Sequence, residues 1–167
     1  IFVINEMAHL HGVKANISVR INPDIDAHTH KYVTTGLYEN KFGISNHEFD
    51  KLIEFIQKSE HINFIGLHFH IGSQITRVDE VFSLECKRVN EIVKYFESKG
   101  LTVRNINLGG GLGVDYDDPD GNPIADFKTW FNAIDRNIIR RADQTVHVEP
   151  GRSLVAQCAS LISRVLF

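Results

Sequence analysis

Short apolar segments alternate with longer segments of helical periodicity along this chain, and this alternation constrains the fold of its 167 residues more than any other feature. Each apolar segment is short enough to be a β-strand. The predicted strands are residues 1–5, 16–22, 63–71, 103–108 and 145–149. Strands that helices separate pair in parallel, either in a doubly wound sheet or in a (β/α)8 barrel.

The segments between the strands have helix signals at their ends. Ser45 followed by Glu48 is a capping-box pattern, which predicts that a helix begins at Ser45. A long helix is predicted at residues 79–99, and Gly100 directly after it is the residue that most often ends a helix. Two further helices are predicted at residues 6–10 and 127–138.

Polar pairs near the ends of four predicted strands favour the barrel over the open sheet. The members of a pair are two positions apart, so they share one face of the strand, and the opposite face is apolar. A barrel with helices outside and an active site in its upper interior has this pattern. An open sheet that helices cover on both sides has apolar strands without alternation. The pairs are Arg20 with Asn22, His68 with His70, Asn105 with Asn107, and His147 with Glu149.

The number of predicted strands is too small for a closed barrel. An eight-stranded barrel typically takes about 250 residues, whereas this chain has 167 and about five predicted strands. We therefore expect an α/β fold that is part of a (β/α)8 TIM barrel, within a longer protein.

Charge and composition argue against several functions. A net charge of −3 and an isoelectric point near 6.3 disfavour a nucleic-acid partner, which needs a basic surface. No apolar run approaches the roughly 20 residues that cross a bilayer. The two cysteines, Cys86 and Cys158, have no metal-binding or redox spacing, which indicates reduced thiols in the cytoplasm.

Three short motifs carry candidate chemistry, and each has an ordinary structural explanation as well. The glycine run that begins at Gly109 is either a tight turn or a loop whose backbone N–H groups bind a phosphate. His68 and His70 are either metal ligands, as in metal-dependent hydrolases, or hydrogen-bonded core histidines, and no third ligand is evident. Glu149-Pro-Gly-Arg152 is either a turn with a surface arginine or a carboxylate and a guanidinium placed at a strand end.

Together the three motifs fit one ligand with a phosphate, a flat ring and a basic ring nitrogen. His70 would stack on the ring, and Glu149 would pair with the protonated ring nitrogen. Pyridoxal 5'-phosphate has these parts, and its pyridinium ring is an electron sink. The residues predicted to bind its phosphate are Gly109, Gly110, Gly111, Gly151 and Ser73.

Longer stretches resemble the diaminopimelate decarboxylases, pyridoxal-phosphate enzymes of the alanine racemase-like class. These stretches are VRINPDIDAHTHKYVTTGLYENKFGI, GLHFHIGSQ, INLGGGLGVDY and VEPGRSLVA, and they occur in the family's order. The HIGS, GGG and EPGR motifs are shared with ornithine and arginine decarboxylases of the same fold, whereas the TGLYENKFGI run favours the diaminopimelate branch. The resemblance implies decarboxylation of meso-2,6-diaminopimelate to L-lysine, in a homodimer whose barrel precedes a β-domain.

The resemblance also implies roles for single residues. His70 matches the ring-stacking histidine, Glu149 matches the partner of the pyridine nitrogen, and Arg152 matches an arginine that binds the substrate carboxylate or the phosphate. Arg20 matches an arginine near the cofactor, and Ser73 lies in the same motif as His70. Residues 1–156 would form part of the barrel, and residues 157–167 would begin the connection to the β-domain.

Several family residues have no match in this chain. The lysine that binds the cofactor covalently precedes Ile1 in the family pattern, and the cysteine and tyrosine of the β-domain follow Phe167. Lys41 is interpreted as structural and His28 and His30 as solvated, so no catalytic residue is assigned and the chain alone is expected to be inactive. Two alternatives stay open: an ornithine- or arginine-type decarboxylase, and a non-catalytic barrel protein that binds pyridoxal phosphate.

Overall fold

The computed structural model describes residues 1–25, 42–159 and 162–165. Its centre is a four-stranded parallel sheet in which strand order follows chain order. Doubly wound sheets reverse their strand order at a switch point, so an unreversed order is that of part of a (β/α)8 barrel. The strands are β1 (Ala15–Arg20), β2 (Ile62–His68), β3 (Asn105–Asn107) and β4 (Thr145–His147).

In the described residues, three helices connect the strands, and their buried side chains join the core of the sheet. A 3₁₀ turn at Asn46–Glu48 leads into α2 (Phe49–Lys58), and α3 (Val78–Ser98) is the longest helix, with 21 residues. Gly100 follows α3 with a φ of +89°, and its N–H donates to the Glu97 carbonyl, so the predicted helix end is confirmed. The helices are α1 (Phe2–Leu10), α2 (Phe49–Lys58), α3 (Val78–Ser98), α4 (Phe127–Asn137) and α5 (Arg152–Val155).

The apolar face of the sheet forms the core together with these helices. Leu67 and Phe69 on one strand segment and Ile106 on the next are completely buried. The longest helix contributes Phe82, whose ring centroid lies 5.5 Å from that of Trp130 in α4. Because alternate residues of each strand enter this core, the polar residues between them project from the opposite face.

Two expectations from the sequence are wrong. Residues 1–5 are not a strand, since α1 begins at Phe2 and runs to Leu10. A four-residue apolar run does not by itself distinguish a strand from a helix, and Phe2 and Val3 are 64% and 69% exposed rather than paired in the sheet. The Ser45 side chain makes no capping hydrogen bond, because the 3₁₀ turn comes between Ser45 and the helix that begins at Phe49.

Candidate functional site

A row of polar side chains crosses the sheet at the carboxyl ends of the strands. Arg20 pairs in register with His68, His68 with Asn107, and Asn107 with His147. Residues at equal register in a parallel sheet project to the same side. The structure therefore brings one residue of each of the four predicted polar pairs together on one face, as the alternation in the sequence indicated.

Glu149, two residues after β4, extends this row with a carboxylate. Its Oε1 accepts a hydrogen bond from the Asn107 side-chain amide at 2.8 Å. Its Oε2 lies 3.5 Å from Nε2 of His68. The Glu149 side chain is 55% exposed, so the carboxylate is held on one side and open on the other.

His68 is a half-buried imidazole beside this carboxylate. Burial is the main cause that lowers its pKa, and the nearby Arg20 and His70 lower it further, whereas Glu149 acts in the opposite direction. Its Nε2 is buried and has no hydrogen-bond partner in the described part of the chain. The row thus has a neutral imidazole next to a carboxylate at neutral pH.

The glycine loop, residues 109–113, packs directly on its neighbours. A Cβ atom at Gly110 would come closer than 3.0 Å to the Glu149 carbonyl oxygen, and one at Gly109 would lie 2.9 Å from Nδ1 of His70. Gly109 and Gly111 have φ angles of +68° and +107°, which favour glycine. Close packing and backbone conformation therefore require these glycines whether or not the loop binds an anion.

Backbone N–H groups of the loop are already partly engaged. The Gly109 N–H donates to Oδ1 of Asn107 at 2.8 Å, and the Gly110 N–H donates to Nδ1 of His70 at 3.3 Å. The Gly111 N–H has no partner among the described residues. The phosphate-binding role of Gly109, Gly110 and Gly111 stays a prediction, and of these three N–H groups only that of Gly111 lacks a partner in the described part of the chain.

Gln74 is a site residue that the sequence reasoning missed. Its φ of +58° is unusual for a residue with a side chain. Its side-chain amide donates to the Val114 carbonyl at 2.5 Å and accepts from the Arg152 guanidinium at 3.2 Å. Gln74 thereby connects the end of the glycine loop to the EPGR motif, and a positive φ is not detectable from residue type at a glutamine.

The remaining predicted site residues lie around this centre. Arg152 is exposed, and its guanidinium lies 5.9 Å from the ring centroid of Tyr116. The Arg20 guanidinium lies 5.2 Å from the ring centroid of Phe42. Ser73 and Gly151 are exposed, and a Cβ atom at Gly151 would have open space around it. His28, His30 and Lys41 lie outside the described residues.

The metal-site alternative concerns the cysteines and the histidine pair among the described residues. Cys86 is buried in α3 and Cys158 is exposed after α5, and both are free thiols. Within residues 1–25, 42–159 and 162–165, no group of three or more His, Cys, Asp or Glu side chains is placed to hold a metal ion. In the same residues, no helix is long and apolar enough to cross a membrane.

Comparison with known proteins matches the chain, over residues 2–156, to the family described as the pyridoxal-binding domain of pyridoxal-dependent decarboxylases. Diaminopimelate decarboxylase of Bacteroides thetaiotaomicron is 48% identical over 165 residues, which are 99% of this chain and 42% of that protein. The structure of the M. jannaschii diaminopimelate decarboxylase with L-lysine has a TM-score of 0.76 at 34% identity, over 93% of this chain and 36% of that one.

A more distant structure has the same fold with a different named activity. The arginine decarboxylase of Paramecium bursaria Chlorella virus, bound to agmatine, gives a TM-score of 0.65 at 25% identity, over 89% of this chain and 37% of that one. The chain therefore spans about two fifths of the length of the relatives that it matches.

Proposed function

This chain belongs to the pyridoxal-binding domain family of the pyridoxal-dependent decarboxylases, and from that premise we propose that it is the cofactor-binding part of a diaminopimelate decarboxylase. The observation that carries the proposal is the Glu149 carboxylate, which the Asn107 amide holds at the strand ends beside a neutral His68. The resemblance in sequence supports the same branch, since among the solved structures identity is 34% to the M. jannaschii diaminopimelate decarboxylase but 25% to the viral arginine decarboxylase.

The described residues fit pyridoxal phosphate. Glu149 has an open side on which its carboxylate can accept an N–H from a ring nitrogen. Open space adjoins Gly72 and Gly151, since a Cβ atom at either would meet nothing within 4 Å. The free Gly111 N–H and the exposed Ser73 hydroxyl are suitable donors to a phosphate.

The residues of this chain would then act as follows. When bound, pyridoxal phosphate supplies an electron sink for the electron pair that is left when CO2 departs. Glu149 keeps a proton on the ring nitrogen, because a carboxylate acceptor stabilises the protonated form. His70 would stack on the ring, and the Gly110 N–H that donates to Nδ1 holds the orientation of its imidazole. Gly111, Gly151 and Ser73 donate to the phosphate.

Arginine side chains would bind the remaining anionic groups. Arg152 binds the substrate carboxylate or the phosphate, because a planar guanidinium donates two parallel hydrogen bonds to either group. Arg20 lies in the same row as His68 and adds positive charge near the cofactor. The covalent bond to the cofactor is assigned to a lysine outside residues 1–167, so no catalytic residue of this chain is proposed.

The substrate, assembly and location follow from the same reasoning. The L-lysine in the M. jannaschii structure supports meso-2,6-diaminopimelate as substrate and L-lysine as product. Residues 1–156 are assigned to the barrel, which the family match over residues 2–156 supports, and residues 157–167 to the connection that follows. Two free cysteines suit a reducing cytoplasm. The family resemblance supports a homodimer.

Replacing Glu149 by Gln in the full-length protein tests the function. Loss of an ionic hydrogen bond of about 1.5–3 kcal/mol is expected to lower the rate of L-lysine formation roughly ten- to a hundred-fold. Glu60→Gln, at an exposed position, is the control and should be unchanged. Lysine formation is measured with meso-diaminopimelate, and ornithine and arginine are tested in parallel. Equal turnover by Glu149→Gln and the wild type, or faster turnover of arginine or ornithine, contradicts the proposal.

A further inference from the structure

Asn107 lies between the glycine loop and the Glu149 carboxylate and contacts both. We propose that Asn107 is a positioning residue, which fixes the Glu149 carboxylate relative to the glycine loop and so orients the partner of the ring nitrogen. This proposal rests on the proposed function, because it concerns the carboxylate that meets the cofactor.

The two ends of the Asn107 amide have distinct partners. The Gly109 backbone N–H can only donate, so the group that faces it at 2.8 Å is the amide oxygen, Oδ1. The amide nitrogen then faces Oε1 of Glu149, also at 2.8 Å. An asparagine satisfies both contacts at once, whereas an aspartate supplies only acceptors and a leucine supplies neither group.

The backbone of Glu149 is tied to the same loop. The Glu149 N–H donates to the Gly109 carbonyl at 2.6 Å, and the missing Cβ of Gly110 lets the Glu149 carbonyl approach. Residues 107–110 therefore hold Glu149 by its main chain and, through Asn107, by its side chain. A carboxylate that is restrained at both points loses less conformational freedom when a ligand binds to it.

Other groups near this carboxylate do not replace Asn107. Nε2 of His68 is 3.5 Å from Oε2, and burial is the main cause that lowers the His68 pKa and favours its neutral form, although Glu149 acts in the opposite direction. Within the described residues, Asn107 is the one hydrogen-bond donor to Glu149 Oε1. Its removal would leave a carboxylate that is half-exposed and free to rotate.

Three variants of the full-length protein separate positioning from mere folding. Asn107→Leu removes both contacts. Asn107→Asp keeps an acceptor for the Gly109 N–H but places a second carboxylate against Glu149. Asn105→Leu is the matched control, since Asn105 lies on the same strand and face and contacts His147 instead. The Kd of pyridoxal phosphate is measured by absorbance titration, and the Kd of each variant is divided by that of the wild type at the same pH. The melting temperature of each variant is recorded to show that it is folded.

Asn107→Leu is expected to raise the Kd about ten-fold or more at every pH, and Asn105→Leu less than about three-fold. Asn107→Asp should match Asn107→Leu at pH 8 and return to within about three-fold of the wild type at pH 5.5. Adjacent carboxylates share a proton at low pH, and the protonated member can again donate to the other. A purely structural role would not give this recovery.

A double-mutant cycle completes the test. In a Glu149→Ala background, Asn107→Leu should raise the Kd less than about three-fold, because no carboxylate remains to be positioned. If the two substitutions multiply instead, or if Asn107→Asp does not recover at low pH, Asn107 does not act through Glu149 and the proposal is overturned. If the wild-type protein itself does not bind pyridoxal phosphate, the proposed function fails first, and this role of Asn107 fails with it.

Discussion

Gly110→Ala is expected to destabilise the site although alanine keeps the backbone N–H. An added Cβ would lie closer than 3.0 Å to the Glu149 carbonyl oxygen, whereas ordinary contacts begin near 3.4 Å. That oxygen belongs to the backbone and cannot rotate away, so the loop and the EPGR segment must separate. Overpacking of this kind costs about 1–3 kcal/mol. Separation also stretches the 2.6 Å hydrogen bond from the Glu149 N–H to the Gly109 carbonyl, whose loss costs about 0.5–1.5 kcal/mol.

The expected loss is thus about 1.5–4.5 kcal/mol in the free energy of unfolding. Urea-induced unfolding of the full-length protein, followed by tryptophan fluorescence and circular dichroism, measures it. Gly151→Ala is a matched control, because Gly151 has a φ of −96° and a Cβ atom there would meet nothing within 4 Å. If Gly110→Ala and Gly151→Ala are equally stable, the glycines do not serve close packing. A phosphate contact through the backbone N–H groups would then be the main reason for glycine at these positions.

Two further predictions concern buried ionisable groups in α3. Glu85 is completely buried without a partner among the described residues, and burial raises its pKa well above 4.5. The folded state therefore keeps this proton at pH values where the unfolded chain loses it. As a result, the free energy of unfolding falls by about 1.4 kcal/mol per pH unit from pH 4.5 up to the folded-state pKa. Urea unfolding at pH 5, 6 and 7 should show that Glu85→Gln removes this slope, and an unchanged slope would refute it. Burial also raises the pKa of Cys86 to about 12, whereas Cys158 is exposed. A thiol reagent at pH 8 should label Cys158 and spare Cys86 in the native protein, as peptide mass spectrometry would show, and equal labelling would contradict the buried position.

The sheet was predictable because strand alternation is a local property. Leu67, Phe69 and Ile106 alternate with polar residues along their strands. Each lies in the core, because alternate residues of a strand project to the same face. The first segment was not predictable in this way. Residues 1–4 are apolar in succession and fit a buried strand or a helix equally well, and only tertiary pairing decides between them. In the structure this segment is helical, and the described residues give four strands rather than five.

The contacts inside the site could not be predicted from the sequence, for a different reason. Residue type shows that Asn107 can donate and accept, but not that one end meets Gly109 and the other meets Glu149. Similarly, the glycine run was consistent with a phosphate loop or a tight turn. The N–H groups of Gly109 and Gly110 have partners inside the chain, because the loop packs closely on Asn107 and His70.

Strand order explains why these residues meet at all. In a parallel sheet whose strand order follows the chain, the polar residues at equal register form one row, here Arg20, His68, Asn107 and His147. Two positions further along their segments stand His70, Gly109 and Glu149. Any side chain at the middle position would collide with the His70 imidazole, since even a Cβ would lie 2.9 Å from Nδ1. Glycine at position 109 therefore lets the His70 imidazole and the Glu149 backbone, whose N–H donates to the Gly109 carbonyl, both lie against this residue.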